Sequence, residues 1–234
     1  MLRIILAGAA GRMGRAVLAL AGETEGVSIA ARIDPALGTS LDTCKADADV
    51  LIDFSTPEAL HGVLAFCASR GMGLVLATTG HPEAAKARIG EAAERIAILR
   101  SANLSYGAYV LAKLAAQAAG LLREKADVTI VETHHRAKKD APSGTAKLLA
   151  DAMEIPGAAI VSLRGGSVTG VHEIHFFGES DIVTLRHEAI DRRLFAQGAL
   201  DAAKWVASCA PGLYGMEDFM DLPSHPASYP ASRR

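Results

Sequence analysis

A chain of 234 residues, half of them apolar, can bury the core of one large domain or of two modest ones. Its net charge of −2 supplies no field for nucleic acid or an anionic membrane surface, and frequent glycine with few aromatics fits a closely packed α/β protein. Three widely spaced cysteines (Cys44, Cys67, Cys209), odd in number and in no CxxC pair, argue against a disulfide framework or zinc site and for a reducing cytoplasm.

Residues 2–7 form a short continuous apolar run, as expected of a strand covered on both faces. The start lacks the charged region, long apolar stretch and cleavage site of a signal peptide, and no window approaches the roughly 20 apolar residues of a membrane span. Gly8 to Gly14 reads as a turn, with a helix over 15–21. A second strand over 27–33 stops at Asp34-Pro35, and a third covers 49–54. Thr56-Pro57-Glu58 then starts a helix with a cap and a first-turn proline. A strand over 74–77, a helix through 82–95 and a strand over 96–100 complete an alternation that means a parallel, doubly wound sheet.

Beyond Asn103 the pattern changes. A long Ala/Leu-rich helix covers 107–123, and strands follow at 127–133, 158–164, 171–178 and 181–189, without alternating helices except the one that Ser143-Gly144-Thr145 opens. Residues 171–176 alternate with a period of two, so a second domain on a mixed or antiparallel sheet is expected. A helical pattern returns over 195–208, and the Pro/Ser-rich end from Pro223 to Arg234 reads as a frayed tail or an arm on a neighbour.

Two constellations carry chemistry. The first is Gly8-Ala9-Ala10-Gly11-Arg12-Met13-Gly14, placed where the first strand meets the first helix. Glycines there permit a tight turn and let a pyrophosphate reach the positive end of the helix. The spacing is GxxGxxG rather than GxGxxG, so a ligand-free tight turn is the competing reading. Asp34, some 20 residues on, is either an acceptor for an adenosine ribose, which would repel a 2′-phosphate and favour NADH over NADPH, or a turn cap before Pro35. Arg12 and Arg32 would soften that preference. Ala77-Thr78-Thr79-Gly80 and Ser101-Ala102-Asn103-Leu104 leave strands at the carboxyl edge of the sheet, where ligands bind.

The second constellation is the stretch 132–146, with two histidines, further cations and a Ser-Gly-Thr turn between a strand and a helix. His134 and His135 point to opposite sides of an extended chain, so one can donate a proton while the other binds substrate or supports the fold. Lys138 either donates a proton or neutralises a carboxylate. Ser143, Gly144 and Thr145 form an anion site at a helix N-terminus, with a solvated basic loop and an ordinary cap as the bland alternative. Adjacent histidines on a strand diverge and no third ligand has suitable spacing, so no metal is expected. Among the other histidines, His187 is the one to watch, together with Arg192.

Assembled, these residues resemble the 4-hydroxy-tetrahydrodipicolinate reductases (dihydrodipicolinate reductases) of the diaminopimelate route to lysine. The strongest element is Glu132-x-His134-His135-x-x-Lys138-x-Asp140-Ala-Pro-Ser143-Gly144-Thr145-Ala146. Gly8-x-x-Gly11-Arg12-Met13-Gly14, Asp53-Phe54-Ser55-x-Pro57, Thr78-Thr79-Gly80, Ala102-Asn103-x-Ser105, Arg164-Gly165-Gly166, His187-x-Ala189 and Phe195-Ala196-x-Gly198-Ala199 extend it. The resemblance implies a Rossmann-type cofactor domain from residues 1–105 with 192–234, and a substrate and oligomerisation domain over 106–191, joined by two hinges. It further implies a cytoplasmic homotetramer using NADH or NADPH on a cyclic dicarboxylate. By the same resemblance His134 is the proton donor with Lys138 assisting. His135, Ser143, Gly144 and Thr145 hold substrate carboxylates, while Gly8 to Met13, Asp34, Ala77 to Thr79 and Ser101 to Leu104 hold the dinucleotide. Ala77 stands where a glycine is usual, Asp191 where a serine often precedes the arginine, and the chain is short for the family. The rival readings are another Rossmann-type dehydrogenase, which the 132–146 signature opposes, and a non-catalytic NADH sensor, for which no DNA-binding helix pair or basic face is found.

Overall fold

The apolar run Leu2–Ala7 is strand β1, and it lies inside a six-stranded parallel sheet. The computed structural model describes residues 1–122, 124–155 and 158–220, so the tail from Pro223 to Arg234 lies outside the described residues. Around β1 run α1 (Arg12–Ala21), β2 (Val27–Ile33), β3 (Val50–Asp53), α2 (Leu60–Arg70), β4 (Gly73–Leu76), α3 (Ala85–Ala93) and β5 (Ala97–Arg100). Alternate side chains of each strand enter opposite layers. Ile4, Leu6, Val50, Ile52, Val75 and Leu99 pack toward α1, whereas Ile5, Leu51, Leu74, Leu76 and Ile98 pack toward α2 and α3. Each such Ile or Leu, fully buried, contributes roughly 1.5–3 kcal/mol over leaving it exposed. Strands covered on both faces therefore read as unbroken apolar runs rather than as alternation.

The sheet order, starting from the far edge, is β10, β5, β4, β3, β1, β2, where β10 is Gly212–Tyr214. The chain passes from β1 to β2 on one side and returns to β3 on the other, so the topological switch falls at the carboxyl ends of β1 and β3.

The second sheet is mixed, in the order β7 (Ala159–Arg164), β6 (Asp127–His134), β8 (Val171–Phe177), β9 (Ile182–Glu188). Strands β6 and β7 are parallel, joined by helix α5 (Gly144–Met153), while β6, β8 and β9 pair antiparallel. One face is closed by α4 (Tyr106–Leu122) and α5, which bury Ile130, Ile174, Phe176 and Leu149 between them. Helix α6 (Arg193–Val206) then returns to the first sheet and packs beside α1. Gly198 makes that return possible, because a Cβ there would lie 1.9 Å from the Leu104 carbonyl oxygen.

Three details differ from the sequence expectation. Helix α1 begins at Arg12, so Gly14 lies inside it rather than in the turn. The segment opened by Pro57 is first a short 3-10 turn, Pro57–Ala59, and only then α2. Strand β10 and the short helix α7 (Met216–Met220) carry no long periodic pattern and were not foreseen. Three residues of strand are below the length at which periodicity is readable.

Candidate active site

The glycine turn is shaped by two close approaches. Gly8 has φ of +75°, and a Cβ on it would stand 2.3 Å from the Phe54 carbonyl oxygen, so its freedom lets β1 and β3 end side by side. A Cβ on Gly14 would stand 2.2 Å from the Gly8 carbonyl oxygen, so only glycine lets α1 tuck beneath the turn. Gly11 caps α1 without a side-chain hydrogen bond, which leaves the first-turn N–H groups for an anion. Asp34 braces the turn from the end of β2. Its Oδ2 accepts from the Ala10 N–H at 2.9 Å and its Oδ1 from the Ala36 N–H at 2.9 Å. These residues fit a dinucleotide: a glycine turn at the switch point, a helix start with no side-chain cap, and a carboxylate beyond the second strand.

The histidine segment ends β6. Strand alternation sends His134 inward, where it is 8% exposed, and sends His135 the other way. Behind His134 lies Glu132, fully buried, whose Oε2 is 2.5 Å from His134 Nδ1. Arg164 at the end of β7 grips both carboxylate oxygens, at 2.9 and 2.8 Å, and the Ser143 N–H donates to Oε1 at 3.2 Å. Burial opposes the charge on Glu132, but hydrogen bonds from Arg164, Ser162 and His134 outweigh it and bring its pKa down to about 2. Burial also lowers the pKa of His134, and the Glu132 carboxylate partly restores it. His172 on β8 stacks edge-on to His134, with ring centroids 5.2 Å apart, and its Nε2 lies 3.1 Å from Ser143 Oγ. Burial, reinforced by His134, pushes His172 down to about 4, so it is neutral at physiological pH.

Two contacts join these elements. Arg12 of the glycine turn hydrogen-bonds His135 Nε2 at 2.8 Å, and Asn103 Nδ2 donates to Thr145 Oγ1 at 2.9 Å. Next to the second contact lies a cleft of about 290 Å³. The sheet edge lines one wall with Thr78, Thr79, His81 and Ser101, and the signature loop lines the other with Asp140, Gly144 and Lys147. Such a volume suits a small ring compound with a few polar anchors.

Residues 2–104 match the family model "Dihydrodipicolinate reductase, N-terminus" and residues 107–220 match "Dihydrodipicolinate reductase, C-terminus". The chain belongs to the dihydrodipicolinate reductase family. Its relatives include the 4-hydroxy-tetrahydrodipicolinate reductases of Thiobacillus denitrificans, 39% identical over 94% of this chain and 98% of that protein, and of Alkaliphilus metalliredigens, 36% identical over 94% and 100%. Among solved structures, a dipicolinate-bound dihydrodipicolinate reductase from Paenisporosarcina sp. TG-14 superposes with a TM-score of 0.74 at 25% identity, covering 94% of this chain and all of that one. An amine dehydrogenase from Mycobacterium smegmatis, at 13% identity and a TM-score of 0.63, shares the fold.

Within the chain the named residues divide. Gly8, Ala9, Ala10, Gly11, Arg12, Met13 and Asp34 surround the turn at the switch point, and Thr78, Thr79, Ser101 and Ala102 border the cleft. Ala77 packs partly against the first core, and Leu104 is 2% exposed with its side chain in that core. Asn103 acts as a tie: besides Thr145, its Oδ1 accepts from the Ser105 N–H at 2.8 Å. Lys138 is paired with Asp140 at 2.9 Å. Ser143 is 1% exposed and its groups are committed, the N–H to Glu132 and the Oγ to the Ala146 N–H and His172. Neither His134 nor His135 lines the 290 Å³ cleft in this arrangement. His187, flagged in the sequence, pairs with His172 across β8 and β9 and has its Nε2 3.5 Å from Ser105 Oγ.

Sequence reasoning left Glu132, Arg164 and His172 without a role in the site, and did not name Arg100 or Lys147, which line the cleft. Glu132 had a legible signal, being two residues before His134 on one strand and hence on the same face. Arg164 stood only within the Arg164-Gly165-Gly166 element of the resemblance and His172 had no signal, since pairing of β7 and β8 with β6 brings them there.

Proposed function

We propose that this chain reduces 4-hydroxy-tetrahydrodipicolinate to tetrahydrodipicolinate with loss of water, using NADH or NADPH, in the diaminopimelate route to lysine. The observation carrying this reading is the cleft whose walls are the sheet edge at Thr78–Ser101 and the signature loop at Asp140–Lys147. Chain membership in the reductase family supports the reaction, and the dipicolinate named with the solved relative supports a cyclic dicarboxylate as substrate.

Thr78, Thr79 and Ser101 would hold the nicotinamide end of the cofactor, which when bound would supply the hydride for the reduction. His134 donates the proton that completes reduction. Its Nδ1 is held by Glu132, and its Nε2 edge faces Gly170, where an added Cβ would lie 3.1 Å away, so a glycine there keeps that nitrogen approachable. Burial holds the imidazole below its ordinary pKa in the free chain, and the negative charge of an arriving dicarboxylate favours the protonated form needed for donation. Lys138 can exchange Asp140 for a substrate carboxylate. In the α5 cradle, Ala146 is already bonded to the Ser143 cap, which leaves the first-turn N–H groups of Gly144 and Thr145 for the anion. Because donor and cofactor turn sit on different sheets, closure about the hinges at Asn103–Ser105 and Ala189–Arg192 would bring His134 to the cleft.

We assign residues 1–105 with 192–234 to the cofactor domain and 106–191 to the substrate and oligomerisation domain. Asp34 supports a preference for NADH, since its carboxylate at the glycine turn would repel a 2′-phosphate while Arg12 is drawn toward His135. The outer face of the second sheet exposes Val161, Leu163, Phe177 and Ile182, by 40–60% each, which supports burial of that face in a homotetramer. None of the described helices is long and apolar enough to cross a membrane, and the biosynthetic reaction supports a cytoplasmic location. The test is oxidation of NADH or NADPH upon addition of the freshly generated substrate. Absence of substrate-dependent oxidation with either nucleotide rejects the assignment.

A further inference from the structure

We propose that Glu132 is the positioning residue of this site: its carboxylate fixes the ring of His134 with the proton on Nδ1 and, through the Ser143 N–H, locks the carboxylate-binding end of α5 to that ring. The inference rests on the reading of His134 as the proton donor.

The geometry carries it. A carboxylate can only accept hydrogen bonds, so the 2.5 Å contact to Glu132 Oε2 requires hydrogen on His134 Nδ1. The imidazolium then has one transferable proton, on Nε2, and the neutral ring left after transfer already has the tautomer that Glu132 demands. The carboxylate is in turn held rigidly. Arg164 binds both its oxygens and also donates to the Leu163 and Asp140 carbonyls, which ties the clamp to the loop carrying Lys138. Oε1 takes the Ser143 N–H, and Ser143 caps α5 and meets His172. One buried carboxylate thus connects the donor ring, the cation loop and the anion cradle. The charges and titrating groups facing His134 are Glu132 on its own strand, Arg164 from β7, His172 from β8, and Lys138 and His135 from the loop; only Glu132 favours the imidazolium.

Glu132→Gln distinguishes positioning from bulk. Two donors, the Ser143 N–H and an Arg164 N–H, converge on Oε1, so the amide oxygen takes that place. The NH2 group then faces His134 Nδ1 and forces the neutral ring to carry its proton on Nε2. Ring-nitrogen NMR of 15N-histidine-labelled protein reads the tautomer, with the His134 signal assigned by its loss in His134→Gln. In the unmodified protein we expect the Nδ1–H tautomer; in Glu132→Gln, the Nε2–H tautomer. Turnover falls roughly 10- to 100-fold, by analogy with the loss of carboxylates that orient metal-bound histidines, with the KM for NADH within about twofold. The descending limb of the pH–rate profile, set by loss of the acid, moves to lower pH, and Glu132→Asp moves it back. An Nε2–H tautomer in the unmodified protein, or an unchanged tautomer and pH limb in a folded Glu132→Gln, overturns the inference. Should Glu132→Gln fail to fold, the tautomer of the unmodified protein and the Glu132→Asp profile still decide. If His134→Gln keeps full turnover, the donor reading fails instead, while the NMR result still judges the hold of Glu132 on the ring.

Discussion

Lowering the pH from about 7.5 to 5 charges His172 in the unfolded chain but not in the folded one. The ring is 4% exposed, sits against His134, and has its pKa pushed from the ordinary 6.5 to about 4. Because the folded value is the lower one, the unfolded state binds the extra proton, and stability is lost as pH falls. The loss begins near the unfolded pKa of 6.5 and is complete near 4. Over the full window the shift amounts to about 3 kcal/mol, of which about 2 kcal/mol is gone by pH 5. Glu132 acts lower down: its folded pKa of about 2 lies below the ordinary 4.5, so its contribution is whole above 4.5 and disappears only as pH drops toward 2. The assay is urea denaturation at pH 7.5, 6 and 5, comparing the unmodified chain with His172→Gln, which removes the titrating group. Burial lowers the pKa of His81, His134, His135 and His187 too, so both proteins lose stability in acid. The difference between them isolates His172, and it should shrink by about 2 kcal/mol between pH 7.5 and 5. A constant difference across that range refutes the claim that a neutral imidazole is buried there.

His134→Gln should lower turnover by roughly 10²–10⁴-fold, the usual worth of a positioned acid, with NADH affinity measured by fluorescence titration unchanged. Gly14→Ala forces a methyl to within 2.2 Å of the Gly8 carbonyl oxygen, so it should destabilise the fold by about 1–3 kcal/mol in a thermal melt and weaken NADH binding. Asp34→Ala removes the acceptor for the Ala10 and Ala36 N–H groups and the charge that opposes a 2′-phosphate. It should raise the KM for NADH and narrow the gap to NADPH; near-equal KM values in the unmodified enzyme would contradict the preference for NADH.

Much of the cofactor half was legible because its signals are local. Runs such as Leu2–Ala7 and Val50–Asp53 are apolar without alternation because both faces are covered, and the glycines at 8 and 14 mark close approaches that admit no Cβ. In the substrate half, alternation along β8 and the serine cap before α5 were equally local. The short strand β10 escaped because three residues joining a sheet edge owe their conformation to β5 rather than to their own sequence. A mixed sheet was among the expectations, and the parallel pair of β6 with β7, joined across α5, is what makes it mixed.

The order of residues along the chain determined by itself that a glycine turn would open a helix, and that His134 and His135 would part to opposite sides of a strand. Only the tertiary structure decided which side became the buried one. It set Glu132, Arg164 and His172 around the inward ring, reached from three strands, and turned Ser143 and Asn103 into ties within the framework. The reason is physical: backbone periodicity fixes direction over a few residues, whereas the partner that a buried charge requires comes from whichever strand the sheet places beside it.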